Sequence, residues 1–224
     1  MATGSTWLDL PVKAGPVLYV SAEDELDELH RRIVDIGRES LFNLEHLDRL
    51  HLVPWAGMDA MLSAPEQHRN AMKPTPLWHQ LLEVVRRIKP SLLVIDTLAD
   101  AYGGDELKRA QVRSFIGMLR GAALQEDMAV LLLAHPSVSG IENGSGSSGS
   151  TGWNNSVRSR LYLERPKSKS EDVDDDARVL SKKKSNYGAL AGEIPLRYQR
   201  GVFVPESGEI SFEREVALQE KEQA

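Results

Sequence analysis

The sequence predicts an α/β fold in which helices flank a mainly parallel sheet. The first observation is a set of short apolar runs with the composition of strands, of which residues 92–95 are aliphatic enough for a strand buried on both faces. The second is the helical periodicity between these runs. A strand–helix–strand alternation implies right-handed βαβ crossovers, and therefore parallel strands.

The N-terminal half supplies the first elements of this alternation. A strand at 16–21 precedes a helix over 26–36, whose apolar residues recur at every third or fourth position. A second strand at 50–55 is stopped by Pro54. Residues 56–74 contain a glycine and two prolines among several methionines and alanines, so we expect an irregular excursion there.

The middle of the chain continues the pattern. A helix is predicted over 75–88, because Pro76 suits the first turn of a helix and the aliphatic residues after it form one apolar stripe. The next elements are expected to be a strand at 92–95, a flexible exit loop at 101–105, a helix over 106–125 and a strand at 129–134.

The pattern changes after the last of these strands. Glycine and serine dominate residues 135–152, which we interpret as a mobile loop or a segment ordered only by a partner. We expect one domain over 1–212 and a polar C-terminal tail over 213–224. Short strands separated by turn residues predict antiparallel pairs at a sheet edge, namely 160–164, 177–182, and 196–199 leading into 202–204, with an acidic hairpin tip at 171–176.

Composition limits the classes of function. The net charge of −6 over 224 residues excludes a generally basic nucleic-acid-binding surface, so any such site must be local. The absence of cysteine excludes disulfides, thiol nucleophiles and cysteine-bound zinc, and fits a reducing compartment. No apolar stretch approaches membrane-spanning length and no signal peptide is evident. We therefore expect a cytoplasmic protein without a membrane partner.

Three predicted strands end in polar residues. They are Glu23 beside Asp24, then Asp96, then His135. Since parallel strands present their carboxyl ends at one edge, these groups can converge on one ligand. A carboxylate there can hold Mg²⁺ through its waters, a second can activate water, and a histidine can hydrogen-bond a phosphate. The structural alternatives are a capping aspartate, a first-turn helix acid and a loop histidine.

Beyond these single residues, five segments stand in a fixed order between residues 6 and 204. They are PVLYVSAED, PSLLVIDTLAD, VLLLAHPS, GSGSSGSTGWNNSVRSRLYL and KKKSNYG.

In this order the segments resemble the RecA-like AAA-type ATPases related to the plasmid replicative helicase RepA. The resemblance implies a RecA-like P-loop NTPase core, assembly into a hexameric ring, ATP and Mg²⁺ as cofactors, and action on DNA in replication. It makes Asp96 the Walker B aspartate, which holds magnesium through water, and Glu23 the catalytic glutamate. It makes His135 the sensor of the γ-phosphate and directs residues 137–150 toward single-stranded DNA in the ring channel.

The resemblance also implies residues that act on a neighbouring subunit. Arg158 or Arg160 corresponds to the arginine supplied to the neighbour's nucleotide, where a planar cation stabilises charge on the transferring phosphoryl group. Lys183 or Lys184 belongs to the same contact. The structural alternatives are surface charges at a strand edge for the arginines and a solvated strand for the lysines.

One family element is missing from the sequence. A P-loop has the pattern G-x-x-x-x-G-K-[ST], and no Gly-Lys pair occurs in the 224 residues. By resemblance the P-loop belongs upstream of Met1, so we expect a chain that begins inside the domain without its first strand and P-loop. A gene model that starts too late and a shortened gene both explain this.

The missing P-loop affects the expected activity, since its backbone N–H groups and lysine bind the β- and γ-phosphates. We expect this polypeptide alone to hydrolyse ATP very slowly or not at all. The alternative is a non-catalytic regulatory or ring-partner paralogue that lost its P-loop. A metal-dependent phosphatase or nuclease is a weaker hypothesis, because such sites need more converging acids and histidines.

Overall fold

The structure is a computed structural model of the chain. It describes residues 1–8, 10–40, 42, 44–67, 70–142, 144, 146, 150–166, 174–188, 190 and 192–206. In chain order the elements are β1 (Val17–Ser21), α1 (Leu26–Ser40), a 3₁₀ helix (Leu44–His46), β2 (Leu50–Pro54), β3 (Ser63–Pro65), β4 (Met72–Pro74), α2 (Pro76–Ile88), β5 (Leu92–Asp96), α3 (Leu98–Ala101), α4 (Arg109–Gln125), β6 (Ala129–Leu132), α5 (Val138–Glu142), α6 (Thr151–Ser156), β7 (Ser159–Glu164), β8 (Ala177–Ser185), β9 (Ile194–Gln199) and β10 (Val202–Pro205).

A four-stranded parallel sheet organises the N-terminal part, in the order β2-β1-β5-β6. The register pairs Ser21 with Asp96, so β1 and β5 end at the same edge. The two central strands are almost fully buried, as their aliphatic composition predicts. The parallel sheet flanked by helices, predicted from the sequence, is confirmed.

Helix α2 shows how local sequence signals set the bounds of an element. The Thr75 side chain caps its first turn by accepting a hydrogen bond from the Trp78 backbone N–H, and Pro76 occupies the first helical position. Its apolar stripe joins α4 and the central strands in one hydrophobic core. The most deeply buried members of that core are Leu18, Val20, Leu62, Leu81, Val85, Leu93, Val112 and Phe115.

Several elements differ from the sequence prediction. Residues 56–74, expected to be irregular, contain the short antiparallel hairpin of β3 and β4. The exit loop predicted at 101–105 overlaps α3, and Tyr102 is buried, because its ring packs against Phe115 at a centroid distance of 5.2 Å. Local propensity does not reveal either feature, because both depend on contacts with α4 and the core.

Strand β6 also departs from the expected burial. It ends at Leu132 rather than at residue 134, and within the described chain it is an edge strand. Leu131 is consequently 42% exposed. An apolar run predicts a strand, but it does not tell a central strand from an edge strand.

The C-terminal strands form a sheet of their own in the order β10-β9-β8-β7, and every pair is antiparallel, as predicted. The β9–β10 turn has positive φ at Arg200 and Gly201. A side chain at Gly201 would collide with Asp35 of α1, since an added Cβ would lie 2.5 Å from its carboxylate. The turn therefore lies directly against α1.

Helix α6 connects the C-terminal sheet to the core. Its Trp153 packs edge-on against Tyr102 at a centroid distance of 5.1 Å. Within the segment predicted as a Gly/Ser loop at 135–152, α5 occupies Val138–Glu142 and α6 begins at Thr151. The predicted tail at 213–224 lies outside the described residues.

Among the described residues, none of the helices has the length and apolar character needed to span a bilayer.

Candidate functional site

The candidate site lies at the carboxyl edge of the parallel sheet. Strand pairing continues just past the strand ends, because the Ala22 N–H donates to the Asp96 carbonyl at 2.6 Å and the Leu133 N–H donates to the Ile95 carbonyl at 3.0 Å. The segments after β1, β5 and β6 therefore leave the sheet side by side.

Glu23 and His135, predicted to meet at this edge, are in contact. Glu23 Oε1 lies 3.3 Å from His135 Nε2, across 112 positions of sequence. The side chains are 43% and 75% exposed, so the contact is open to solvent and to a ligand. An exposed pair of this kind contributes little to the stability of the fold. We therefore consider Glu23 and His135 as candidates for ligand binding or catalysis.

Asp96 is buried at the end of β5, with 7% of its surface exposed. Its carboxylate Oδ2 accepts a hydrogen bond from the Tyr19 hydroxyl at 2.5 Å. Burial, followed by this hydrogen bond to the carboxylate, raises the pKa of Tyr19 well above its ordinary value. The phenol therefore stays protonated and remains a donor to Asp96 across the physiological pH range.

The turn between β1 and α1 separates the roles of two adjacent acids. The Asp24 backbone N–H donates to the buried Ser21 hydroxyl at 3.0 Å, and the Asp24 carboxylate accepts from Arg32 Nη1 at 2.5 Å. Arg32 lies on α1 and also bonds Glu28. These two hydrogen bonds of Asp24 stabilise the turn, while Glu23 contacts His135.

The segment after Asp96 is also fixed by a side-chain contact. The buried Thr97 hydroxyl donates to Asp100 Oδ2 at 3.0 Å, and the Leu98 backbone N–H donates to the Leu133 carbonyl at 2.8 Å. The peptide bond between Asp96 and Thr97 is cis.

The two predicted trans-acting arginines have different environments. Arg158 is exposed in the short link between α6 and β7, and its carbonyl accepts from the Asn186 backbone N–H at 3.0 Å. Arg160 lies on β7, where burial of the guanidinium lowers its pKa. Arg158 makes no hydrogen bond or ion pair with Glu23, Asp96 or His135 in the described part of the chain.

The predicted lysines are engaged within the chain. Lys183 Nζ lies 3.0 Å from Glu164 Oε1 and 5.5 Å from the centroid of the Tyr162 ring. Lys184 Nζ donates to the carbonyls of Asn154 at 2.6 Å and Val157 at 2.8 Å. Lys184 therefore binds the carboxyl end of α6, where a cation is favoured by the helix dipole.

The residues present fit a magnesium ion held through water. Among the described residues, no group of three or more histidine, aspartate or glutamate side chains forms a cage for a metal. Mg²⁺ does not need a cage, since it retains its waters and is bound by one or two carboxylates together with substrate phosphates. Asp96 supplies such a carboxylate, whereas a P-loop segment is absent from the 224 residues.

Two neighbours of the site, Tyr19 and Arg32, were missed by the sequence analysis. Tyr19 pairs with Val94 in the register, so it is the diagonal neighbour of Asp96 on the same sheet face. Aligning the ends of β1 and β5 could have revealed this contact. The position of Arg32 depends on how α1 packs, which the periodicity of the helix does not specify.

Comparisons with known proteins agree with this architecture. A family model described as an AAA domain matches residues 1–140, a range that contains Glu23, Asp96 and His135. No curated protein matches the chain.

Two solved structures have a similar fold. One is a KaiC-like protein from the hyperthermophilic archaeon Pyrococcus horikoshii OT3, with a TM-score of 0.57, 14% identity, and coverage of 86% of this chain and 76% of that one. The other is the RadB recombinase, with a TM-score of 0.55, 15% identity, and coverage of 86% of this chain and 80% of that one. At these identities the likeness shows the fold alone, and that fold is RecA-like.

Proposed function

Since the chain belongs to the AAA domain family, we propose that it supplies a Mg²⁺-dependent ATP site to a ring-forming ATPase that acts on DNA, of the replicative helicase RepA type. The observation that carries this proposal is the contact of Glu23 with His135 at the carboxyl edge of the parallel sheet in which β5 ends at the buried Asp96. Crevices at such edges bind ligands in open α/β sheets.

Each of the three side chains has a distinct role in this proposal. Bound magnesium would neutralise charge on the phosphates. Asp96 would hold that ion by accepting hydrogen bonds from its waters. Glu23 accepts a proton from the attacking water, for which an exposed carboxylate at the sheet edge is suitably placed.

His135 links the state of the phosphate to Glu23. With the proton on Nε2, His135 donates to Glu23 Oε1 across the observed 3.3 Å. A phosphate oxygen near His135 competes for that proton. Glu23 is then released to contact water, so the pair responds to the presence of the terminal phosphate.

The ring contact involves the surface between α6 and β7. Arg158 is exposed there, and we assign it as the cation that reaches the nucleotide of a neighbouring subunit. Arg160 is half-buried on β7. Lys183 and Lys184 hold β7, β8 and α6 together, and so position Arg158. Residues 137–150 are proposed to contact single-stranded DNA in a hexameric ring.

A second candidate is a non-catalytic ring partner that presents Arg158 to an intact neighbour. The observation that favours it is the lack of any G-x-x-x-x-G-K-[ST] segment in these 224 residues. In this case the chain would raise the activity of a P-loop-containing subunit without hydrolysing ATP itself, and Arg158→Ala would abolish that stimulation.

The test is the binding of a fluorescent ATP analogue by the chain, with and without Mg²⁺. We expect weak binding that requires Mg²⁺ and is lost in Asp96→Asn, because the amide removes the charge that holds the hydrated ion. The matched control is Asp48→Asn. Asp48 is an exposed acid that precedes β2, at the amino-terminal ends of the strands and away from the site. Equal Mg²⁺-dependent binding by Asp96→Asn and the unmodified chain would refute the proposal.

A further inference from the structure

We infer that Tyr19 is a positioning residue for Asp96: its hydroxyl holds one carboxylate oxygen, so that the other oxygen is the one offered to the waters of a divalent cation. The inference rests on the proposed function, since it takes Asp96 as the group that binds the hydrated ion. It adds a residue that lies before the acidic segment at the end of β1.

The geometry of the two strands brings Tyr19 to Asp96. Ser21 pairs with Asp96 and Tyr19 pairs with Val94, so Tyr19 and Asp96 lie on one sheet face as diagonal neighbours. The phenol spans that diagonal and places its oxygen 2.5 Å from Asp96 Oδ2. A donor this close to an ionised oxygen forms one of the stronger types of hydrogen bond in proteins.

The two oxygens of Asp96 have different surroundings. Within the described chain, the Tyr19 hydroxyl is the sole side-chain donor to Oδ2, and Oδ1 accepts no hydrogen bond. Although Oδ1 has no hydrogen-bond partner, it is not fully buried, so it reaches solvent. The carboxylate thus has one oxygen occupied by protein and one oxygen open.

This asymmetry has a consequence for metal binding. Without the hydroxyl, the carboxylate of Asp96 can rotate about its Cβ–Cγ bond, and neither oxygen is held toward the ion. Side chains that orient a metal-binding group typically change metal affinity about 10-fold to 100-fold when they are replaced. Because Mg²⁺ would be held here through few protein groups, the orientation of each group would matter more.

The test measures binding of the Mn²⁺–ATP complex by water-proton relaxation enhancement, with Mn²⁺ replacing Mg²⁺ as the probe. Tyr19→Phe keeps the ring and removes only the hydroxyl, and we expect its Kd to rise about 10-fold. Tyr102→Phe is the matched control, because it also removes one tyrosine hydroxyl, which bonds the Asp105 carbonyl at 3.1 Å. Thermal unfolding of each variant verifies that it is folded.

The same titration on Asp96→Asn, in which binding should be lost, separates the possible results. Wild-type affinity in Tyr19→Phe, together with lost binding in Asp96→Asn, would overturn the inference and leave the proposed function intact. Wild-type affinity in Asp96→Asn would overturn both.

Discussion

At the scale of single residues, the strand-end argument predicted that Glu23, Asp96 and His135 would converge. Glu23 and His135 meet at 3.3 Å, whereas among the described residues the side-chain contact of Asp96 is with Tyr19. The strand-end argument alone did not distinguish Glu23 from Asp24, since both are acids at the start of a helix. The structure separates them, because Arg32 on α1 engages Asp24 and leaves Glu23 for His135. That distinction depends on the packing of α1 against the sheet edge, which no local pattern specifies.

The two acids should respond differently to loss of their charge. Glu23→Gln is expected to leave the free energy of unfolding within about 0.5 kcal/mol of wild type, since its contact is exposed. Any slow Mg²⁺-dependent phosphate release by the chain should also fall below detection, because the variant lacks the carboxylate that accepts the proton of water. Urea denaturation and a phosphate-release assay measure the two effects.

Asp24→Asn serves as the comparison for Glu23→Gln. Its ion pair with Arg32 is partly exposed, so its loss should cost up to about 1 kcal/mol. Phosphate release by Asp24→Asn should remain near the wild-type rate. If Asp24→Asn abolished release and Glu23→Gln did not, the assignment of roles would be reversed.

Tyr102 gives the fold a specific dependence on alkaline pH. Burial, with smaller contributions from Asp105 and Glu106, raises the pKa of Tyr102 from 10.0 to about 12. The neutral phenol is therefore favoured in the folded state. The contribution of Tyr102 to the free energy of unfolding is fully present below pH 10 and is lost as the pH rises from 10 toward about 12.

The measurement is the free energy of unfolding in urea at several pH values across that window. The fall in stability should be shallower in Tyr102→Phe than in wild type, because the variant has no phenol to ionise at this position. An identical slope in the two proteins would show that Tyr102 does not contribute to alkaline unfolding.

At the scale of elements, composition predicted the central strands well and the edge strand poorly. β1 and β5 are buried on both faces, as aliphatic runs imply, whereas the equally apolar β6 lies at an edge with Leu131 exposed. The hairpin of β3 and β4 was missed because its sequence is rich in proline and methionine. In the structure it is held by tertiary contacts, including the Met72 N–H bonded to the Ser114 hydroxyl at 3.0 Å.

Helix α6 is too short to be stable by its own backbone hydrogen bonds, so its carboxyl end depends on Lys184. Lys184→Met should lower the free energy of unfolding by about 1.5–3 kcal/mol, because it leaves the carbonyls of Asn154 and Val157 without their charged donor. Lys73→Met is the control, since Lys73 is exposed on β4. Urea denaturation checks both, and equal stabilities would contradict the proposed cap.

At the scale of the whole molecule, the sequence predicted a parallel sheet followed by antiparallel strands, and both are present. It did not predict how the two parts are joined. Trp153 of α6 packs on Tyr102 and Phe115, and the turn at Gly201 lies against α1. These contacts link residues far apart in the chain, so they were beyond a periodicity argument.

The central claim is that Glu23, Asp96 and His135 surround one nucleotide-bound metal ion. The most direct test is NMR of the six histidine side chains during addition of the Mn²⁺–ATP complex, with His135 assigned by comparison with His135→Gln. Paramagnetic broadening falls steeply with distance. The His135 ring signals should therefore broaden before those of the other five, and Asp96→Asn should abolish this effect. Broadening that spares His135, or that persists unchanged in Asp96→Asn, would contradict the claim.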